Sequence, residues 1–325
     1  MSPAEPLNAD KILKVVASGE SVPTRLADHC QRHAIEIDHL NSVPPNDELR
    51  RRVADADFYL LGGDERLSAE VLAAAPSLKA VSFLGAGAGS FVDLDAAREH
   101  SVRVLTTPGA NAASVAEFAV GLALGLQRRL LADLLGQGRT SRASTELTGS
   151  TVGVLGLGAT GTALARILTG GFGCEVLYHS RTPKPKVEAE LAITSVGLDE
   201  LFERSMTVFV CAALNAGSTG MVGAAQLGES GPDFLVSTAD PRVVDPAALR
   251  AALESGALSG AALDGYYIEP LPTPADDEHG LLALDTVFAT GHIAASSVNA
   301  WTRMEDMAVD NLIRAIDESL VESPQ

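Results

Sequence analysis

Thr151-Val152-Gly153-Val154-Leu155-Gly156-Leu157-Gly158-Ala159-Thr160-Gly161 is the stretch whose reading decides the fold. Residues 151–155 form a short apolar run that reads as a buried strand. G-x-G-x-x-G follows at once at Gly156, Gly158 and Gly161, and a helix-like segment covers 162–168. A pyrophosphate site needs that order. The first glycine makes the tight strand-to-helix turn, and the second lets the backbone approach a phosphate. The third lets the helix pack on the strand, with its N-terminus toward the anion. In a chain with 30 glycines the pattern alone is weak. A second strand at 175–178, at the spacing of a βαβ unit, strengthens it. Dinucleotide binding is expected, with Gly156, Gly158, Ala159, Thr160 and Gly161 around the pyrophosphate.

On the N-terminal side, residues 11–17, 35–40, 58–61, 79–84 and 102–106 read as strands. Helices are expected at 23–34, 50–56, 68–75 and 95–100, with Ser68 as an N-cap. A glycine-rich loop, Gly85-Ala86-Gly87-Ala88-Gly89-Ser90, follows the fourth strand. Thr107-Pro108-Gly109-Ala110-Asn111 is a turn and a boundary. On the C-terminal side, strands are expected at 206–212, 233–237, 260–264 and 286–289. A helix at 247–255 follows Asp245-Pro246, and a last helix covers 298–320. Such alternation gives a parallel sheet with helices on both faces. The expected class is α/β: two doubly wound parallel-sheet domains, Rossmann- or flavodoxin-like, with a cleft between them. A helix at 114–135 is apolar all round and is expected to be buried, in a domain junction or a subunit interface. A homodimer is expected.

A length of 325 residues suits two domains. The net charge of −18 excludes a nucleic-acid partner, which needs surplus Lys and Arg, and an anionic membrane surface. No apolar run approaches a membrane span, and the N-terminus lacks the basic-then-apolar order of a signal peptide. Cys30, Cys174 and Cys211 are scattered, with neither a disulfide pattern nor C-x-x-C, so a reduced, cytoplasmic setting is expected. Cys211 lies in an apolar strand and is expected to pack rather than react. No metal site is expected.

Two further motifs complete the picture. One runs from Ala261-Ala262-Leu263-Asp264 to Glu269-Pro270-Leu271-Pro272, and the other is Thr290-Gly291-His292-Ile293-Ala294. The first is similar to A-L-D-V-F-x-x-E-P-L-P and the second to T-P-H-I-A. With the glycine fingerprint and residues 107–117, the chain resembles the D-isomer-specific 2-hydroxyacid dehydrogenase family over nearly its whole length. The resemblance implies a split arrangement. Residues 1–107 with 297–325 would form the substrate (catalytic) domain, and 108–296 the dinucleotide-binding domain.

Reducing a 2-keto acid takes a hydride donor, a proton donor at the carbonyl oxygen and a cation for the carboxylate. Histidine suits the proton role, with an unperturbed pKa of about 6.5. The resemblance assigns that role to His292, a partner carboxylate to Glu269, and to Asp264 a place near the nicotinamide ribose and amide. Asp264 has a plainer alternative as a turn cap. The family's V-N-x-A-R-G carries the substrate-binding arginine, and here Val236-Ser237-Thr238-Ala239-Asp240-Pro241 puts Asp240 in its place. At an effective dielectric near 20 and about 4 Å, the lost attraction is about 4 kcal/mol, and a repulsion of similar size replaces it. Arg242 is expected to face solvent or Asp245. Gly291 replaces a proline and is expected to loosen the approach to His292. In the substrate loop, Gly87, Ala88 and Gly89 are expected to offer amides to an anion or carbonyl. Ser90-Phe91 stands where the family often has Asp-Asn, and Phe91 is either an apolar substrate wall or core.

The coenzyme is expected to be NADP(H), with NAD possible. Ser180 occupies the position of the acidic residue that holds the ribose hydroxyls of NAD, and Arg181 suits a 2′-phosphate. Thr160 replaces a residue that is often arginine in the family. The expected function is an NAD(P)H-dependent oxidoreductase acting on CH–OH, transferring hydride to a carbonyl or imine of an atypical small-molecule substrate. Two alternatives remain: a non-catalytic NADP(H)-binding protein, and a cofactor-dependent enzyme without net redox.

Overall fold

The computed structural model describes residues 12–130, 144–267 and 277–322. The chain divides into two compact units, Met1–Ala110 with Trp301–Gln325, and Asn111–Ala300. The first unit contains β1 (Lys14–Ser18), α1 (Thr24–Arg32), β2 (Glu36–Leu40), α2 (Asn46–Val53), β3 (Phe58–Leu61), α3 (Ala69–Ala73), β4 (Ala80–Phe83), α4 (Leu94–Glu99) and β5 (Arg103–Leu105). Its sheet order is β2-β1-β3-β4-β5, and every pair is parallel. Alternate strand residues serve opposite faces. Val16, Tyr59, Leu61 and Val81 pack under α2, α3 and α4 through Leu49, Val53, Val71, Leu72 and Ala97. Val15, Ala17, Phe58, Leu60 and Ala80 pack under α1 and the C-terminal helix Val298–Glu322, through Leu26, Cys30, Ala308, Leu312 and Ile316. Both faces are covered, which is why β3 reads as an unbroken apolar run and β4 as one broken only by Ser82, whose hydroxyl donates to Ala308 O. Ser68 caps α3 as expected, accepting from Val71 N at 3.4 Å. The helix expected at 50–56 instead begins at Asn46, because Pro45 presets the entering backbone and Asp47 and Glu48 suit a helix N-terminus.

In the second unit, α5 (Ala112–Gln127) precedes β6 (Thr151–Leu155), β7 (Glu175–His179), β8 (Thr194–Ser195), β9 (Thr207–Val210), β10 (Phe234–Ser237), β11 (Gly260–Asp264) and β12 (Val287–Thr290). The order is β12-β11-β10-β9-β6-β7-β8, again all parallel. From β6 the chain runs outward through β7 to β8 and then returns to β9 on the other side of β6. A sheet that reverses direction there opens a crevice at the strands' carboxyl ends. The helix Ala159–Phe172 links β6 to β7. It starts earlier than the expected 162–168 because the fingerprint residues themselves form its first turn.

α5 ends at Gln127, short of the expected 114–135, and residues beyond 130 lie outside those described. Its residues Ala116, Ala119, Val120 and Ala123 pack against Val154, Leu164, Leu168, Val236 and Ala262 within the unit. These contacts account for much of the helix's apolarity. Among the described residues no helix is long and apolar enough to cross a membrane.

Candidate active site

The glycine turn after β6 has the backbone its sequence requires. Gly156 has φ +97°, and a Cβ there would lie 2.7 Å from the Ala212 backbone. A Cβ on Gly161 would collide with the Gly156 carbonyl. Gly158 differs: a Cβ there would meet nothing within 4 Å. No side chain caps the helix Ala159–Phe172, so no side chain claims its first-turn amides. Open space at Gly158 and amides at a helix N-terminus together fit a dinucleotide pyrophosphate. Ala159 is exposed and Thr160 half-buried beside it. Gly158→Ala is therefore expected to leave the unfolding midpoint nearly unchanged while weakening coenzyme binding by about tenfold or more, as a one-methyl clash can. Thermal unfolding beside a coenzyme fluorescence titration checks this, and unchanged binding would place the pyrophosphate elsewhere.

The end of β7 stands against that turn, since Gly156 N donates to His179 O at 2.8 Å. Ser180, half-buried, and Arg181, exposed, follow directly. Lys184 and Lys186 come next, two of the chain's five lysines (the others are Lys11, Lys14 and Lys79). The Tyr178 hydroxyl bonds to Glu188 and accepts from Lys184 N at 3.0 Å, fixing the start of the helix Pro185–Leu191. In a chain of net charge −18 this is a local basic edge.

At the ends of β11 and β12, Asp264 is 4% exposed and organises the loop that carries His292. Its carboxylate accepts from Thr290 Oγ1 at 2.7 Å, Ile293 N at 2.8 Å and Ala294 N at 3.1 Å. Both oxygens thus serve the loop, which is the turn-cap role. Ser114 Oγ donates to Ala294 O at 2.9 Å and adds a further tie. The loosening expected from Gly291 is opposed by these bonds. His292 has φ +60°, rare for a non-glycine residue, and its side chain is exposed. Gly265, φ +85°, lies beneath the ring, and a Cβ there would stand 3.4 Å from His292 Cγ. Glu269, the expected partner carboxylate, lies outside the described residues.

Asp240 is not a bare charge. Its carboxylate accepts from Arg242 N at 3.0 Å, Arg242 Nε at 2.9 Å and a terminal guanidinium nitrogen of Arg242 at 2.8 Å. These bonds to Arg242 hold the Asp240 carboxyl below the usual carboxylate range, and His292 adds a smaller attraction of the same sign. Arg242 is exposed, as expected of a solvent-facing side chain, but its carboxylate partner is Asp240 and not Asp245, which instead caps the helix Pro246–Ser255 through Ala247 N and Ala248 N. The full repulsion expected of Asp240 is corrected as well, because a forked ion pair offsets most of its charge. A cavity of about 160 Å³ lies against this pair, lined by Ser237, Pro241, Arg242, Leu263, Asp264 and Tyr266 among others. The Ser237 hydroxyl is buried without a hydrogen-bond partner. Sequence reading allowed a cap at Asp264 but missed its partners, the Arg242 fork and this cavity.

In the first unit, Ala88–Ser90 is a short 3-10 turn. Ala88 is buried, and its carbonyl accepts from Phe91 N at 2.9 Å and Val92 N at 2.8 Å. Gly87 and Gly89 are exposed. Phe91 is half-buried and packs on Phe83 with ring centroids 5.1 Å apart, which favours the core reading. Cys211 sits just past the end of β9, and burial pushes its thiol up to about 12. It is a packing residue.

Residues 121–294 match the family described as D-isomer specific 2-hydroxyacid dehydrogenase, NAD binding domain. The chain is 34% identical to a glyoxylate reductase of Thermofilum pendens over 84% of its own length and 82% of the relative's. It belongs to the D-isomer-specific 2-hydroxyacid dehydrogenase family. A glyoxylate/hydroxypyruvate reductase B of Serratia proteamaculans is 29% identical over 94% of this chain and 95% of that one. Among solved structures, a glyoxylate reductase from Paecilomyes thermophila superposes with a TM-score of 0.80 at 26% identity, covering 95% and 96% of the two chains. As a family member the chain is an NAD(P)-dependent oxidoreductase acting on CH–OH, with a nicotinamide coenzyme and a small-molecule substrate.

Proposed function

We propose that the chain is an NADPH-dependent reductase of a carbonyl or imine compound that lacks a carboxylate in the family's usual pose. One observation supports this reading: the Asp240 carboxylate is forked onto Arg242, at the position that the family resemblance assigns to the substrate-binding arginine. The coenzyme, when bound, supplies the hydride. His292 delivers the proton to the substrate oxygen or nitrogen, held in position by the Asp264 clasp, and Glu269 is its assigned partner. Asp240, kept ionised by Arg242, would receive a cationic amine on the substrate rather than an anion. The exposed amides of Gly87 and Gly89 are assigned to hydrogen-bonding the substrate. Glyoxylate and hydroxypyruvate, named in the relatives, are the reference substrates against which the departure is measured. The substitution of Asp240 also favours a second reading, a non-catalytic NADP(H)-binding protein, and turnover separates the two.

The choice of NADP(H) rests on Ser180, Arg181 and the two lysines that follow. NADPH is expected to bind roughly ten- to a hundredfold more tightly than NADH, the 1.5–3 kcal/mol of a charge-assisted contact. Arg181→Ala is expected to erase most of that preference and leave NADH binding unchanged. Equal dissociation constants for the two coenzymes in the wild type would overturn the assignment. NADPH oxidation with glyoxylate, hydroxypyruvate, ketones and imines tests the substrate class. Rapid wild-type turnover of the simple keto acids would defeat it.

A further inference from the structure

His29 and His33 are four residues apart at the C-terminal end of α1, so their side chains share one face. The C-terminal helix Val298–Glu322 brings Asp317 to that face. One ligand-bearing atom from each of the three lies within 4.8 Å of the other two. His29 is 5% exposed, and its Nε2 is fully covered without making a hydrogen bond. A buried polar atom left unsatisfied is costly. Asp317 Oδ1 lies 3.1 Å from that nitrogen, yet out of line with the direction in which the ring would donate. A simple ion pair would align the two. Two atoms bound to one metal at about 2.0–2.1 Å stand roughly 3.0–3.4 Å apart without pointing at each other. The 3.1 Å spacing matches that of two ligands of a common cation as well as that of an ion pair.

We propose that His29, His33 and Asp317 form a binding site for one divalent cation of the zinc class, clamping α1 to the C-terminal helix. Two imidazoles with one carboxylate select a borderline transition-metal ion over the hard cations calcium and magnesium, which take oxygen ligands. Three protein ligands leave a fourth position for water. Asp317 is half-exposed and also lines a groove along the terminal helix with Asp310, Ile313, Arg314 and Glu318, which gives the ion a path in. The last-turn carbonyls of α1 add a negative end favourable to a cation. The clamp would act beside ion pairs that already tie Arg25 to Asp306 and Asp310 on the same helix. Sequence reading expected no metal, because the third ligand comes from the far end of the chain.

The test uses the full chain after chelator treatment, titrated with Zn²⁺ alone in equilibrium dialysis and with Co²⁺ as a spectroscopic stand-in. His33→Ala and Asp317→Asn are the variants, both at exposed positions, with their metal-free unfolding midpoints checked against wild type. The expected result is one Zn²⁺ per chain, removable by chelator, and a visible Co²⁺ band of a four-coordinate site. Each variant should bind at least about a hundredfold more weakly, since loss of even an outer-shell partner costs roughly 10–100-fold. Three results would overturn the proposal: no metal retained by the wild type, equal retention by the variants, or a thiolate-to-cobalt band showing capture by a cysteine instead.

Discussion

Replacing His292 by asparagine is expected to lower kcat by roughly a hundred- to ten-thousandfold, the range that a positioned general acid supplies. Coenzyme dissociation constants should change by less than about threefold, within the scatter of surface substitutions. Asparagine is the informative replacement because residue 292 sits at φ +60°, a region asparagine tolerates far better than most side chains. The fold should survive, since the imidazole is exposed and the loop is held by Asp264 rather than by His292 itself. Steady-state rates beside a coenzyme titration give the answer. An unchanged kcat would remove His292 from proton transfer. Loss of coenzyme binding in step with kcat would mean that the substitution had disturbed the unit as a whole.

The second large effect is expected at position 240. The double variant Asp240→Arg, Arg242→Gln exchanges a paired carboxylate for a single unpaired guanidinium. For glyoxylate, kcat/KM is expected to rise about ten- to a hundredfold, matching the 1.5–3 kcal/mol of one charge-assisted hydrogen bond. The physical reason is directional. Arg242 is a weak anchor for a substrate carboxylate, because its Nε and one terminal nitrogen already donate to Asp240, whose charge opposes an incoming anion. Asp240→Arg alone should gain less, since two adjacent guanidinium groups repel. Absence of any gain, together with good wild-type turnover of glyoxylate, would show that the substrate anion is held by other groups.

Much of this was legible in the sequence because the determinants are local. The buried central strands such as β3, β6, β9 and β10 were readable as apolar runs, since strands covered on both faces are apolar nearly throughout. β8 was missed because both of its residues, Thr194 and Ser195, are exposed and carry no pattern. The helices Pro185–Leu191 and Leu198–Arg204 were missed for a related reason. The first buries none of its residues and the second buries only Leu201 and Phe202. At the site, the residue types were visible but their partners were not. Nothing in the order of residues says that Arg242 folds back on Asp240 instead of reaching Asp245. Nor does it say that Asp264 spends both oxygens on a loop 26 to 30 residues away. These are outcomes of backbone geometry at strand ends, where short-range pattern carries little information.

The division of the first unit between the two ends of the chain has a consequence during synthesis. One face of its sheet is closed by Val309, Leu312 and Ile316, which emerge last. Three such side chains contribute roughly 5–9 kcal/mol by burial, as much as the whole stability of many domains. The second unit has every residue it needs once position 300 is made, whereas the first cannot close. At about 5–20 residues per second, production of Asn111–Ala300 takes on the order of 10–40 s. Throughout that interval the apolar face formed by Val15, Phe58, Leu60 and Ala80 has no cover from the terminal helix. The unit begun before Asn111–Ala300 is thus completed only after it, and the ribosome-bound chain presents that face to chaperones and to its neighbours.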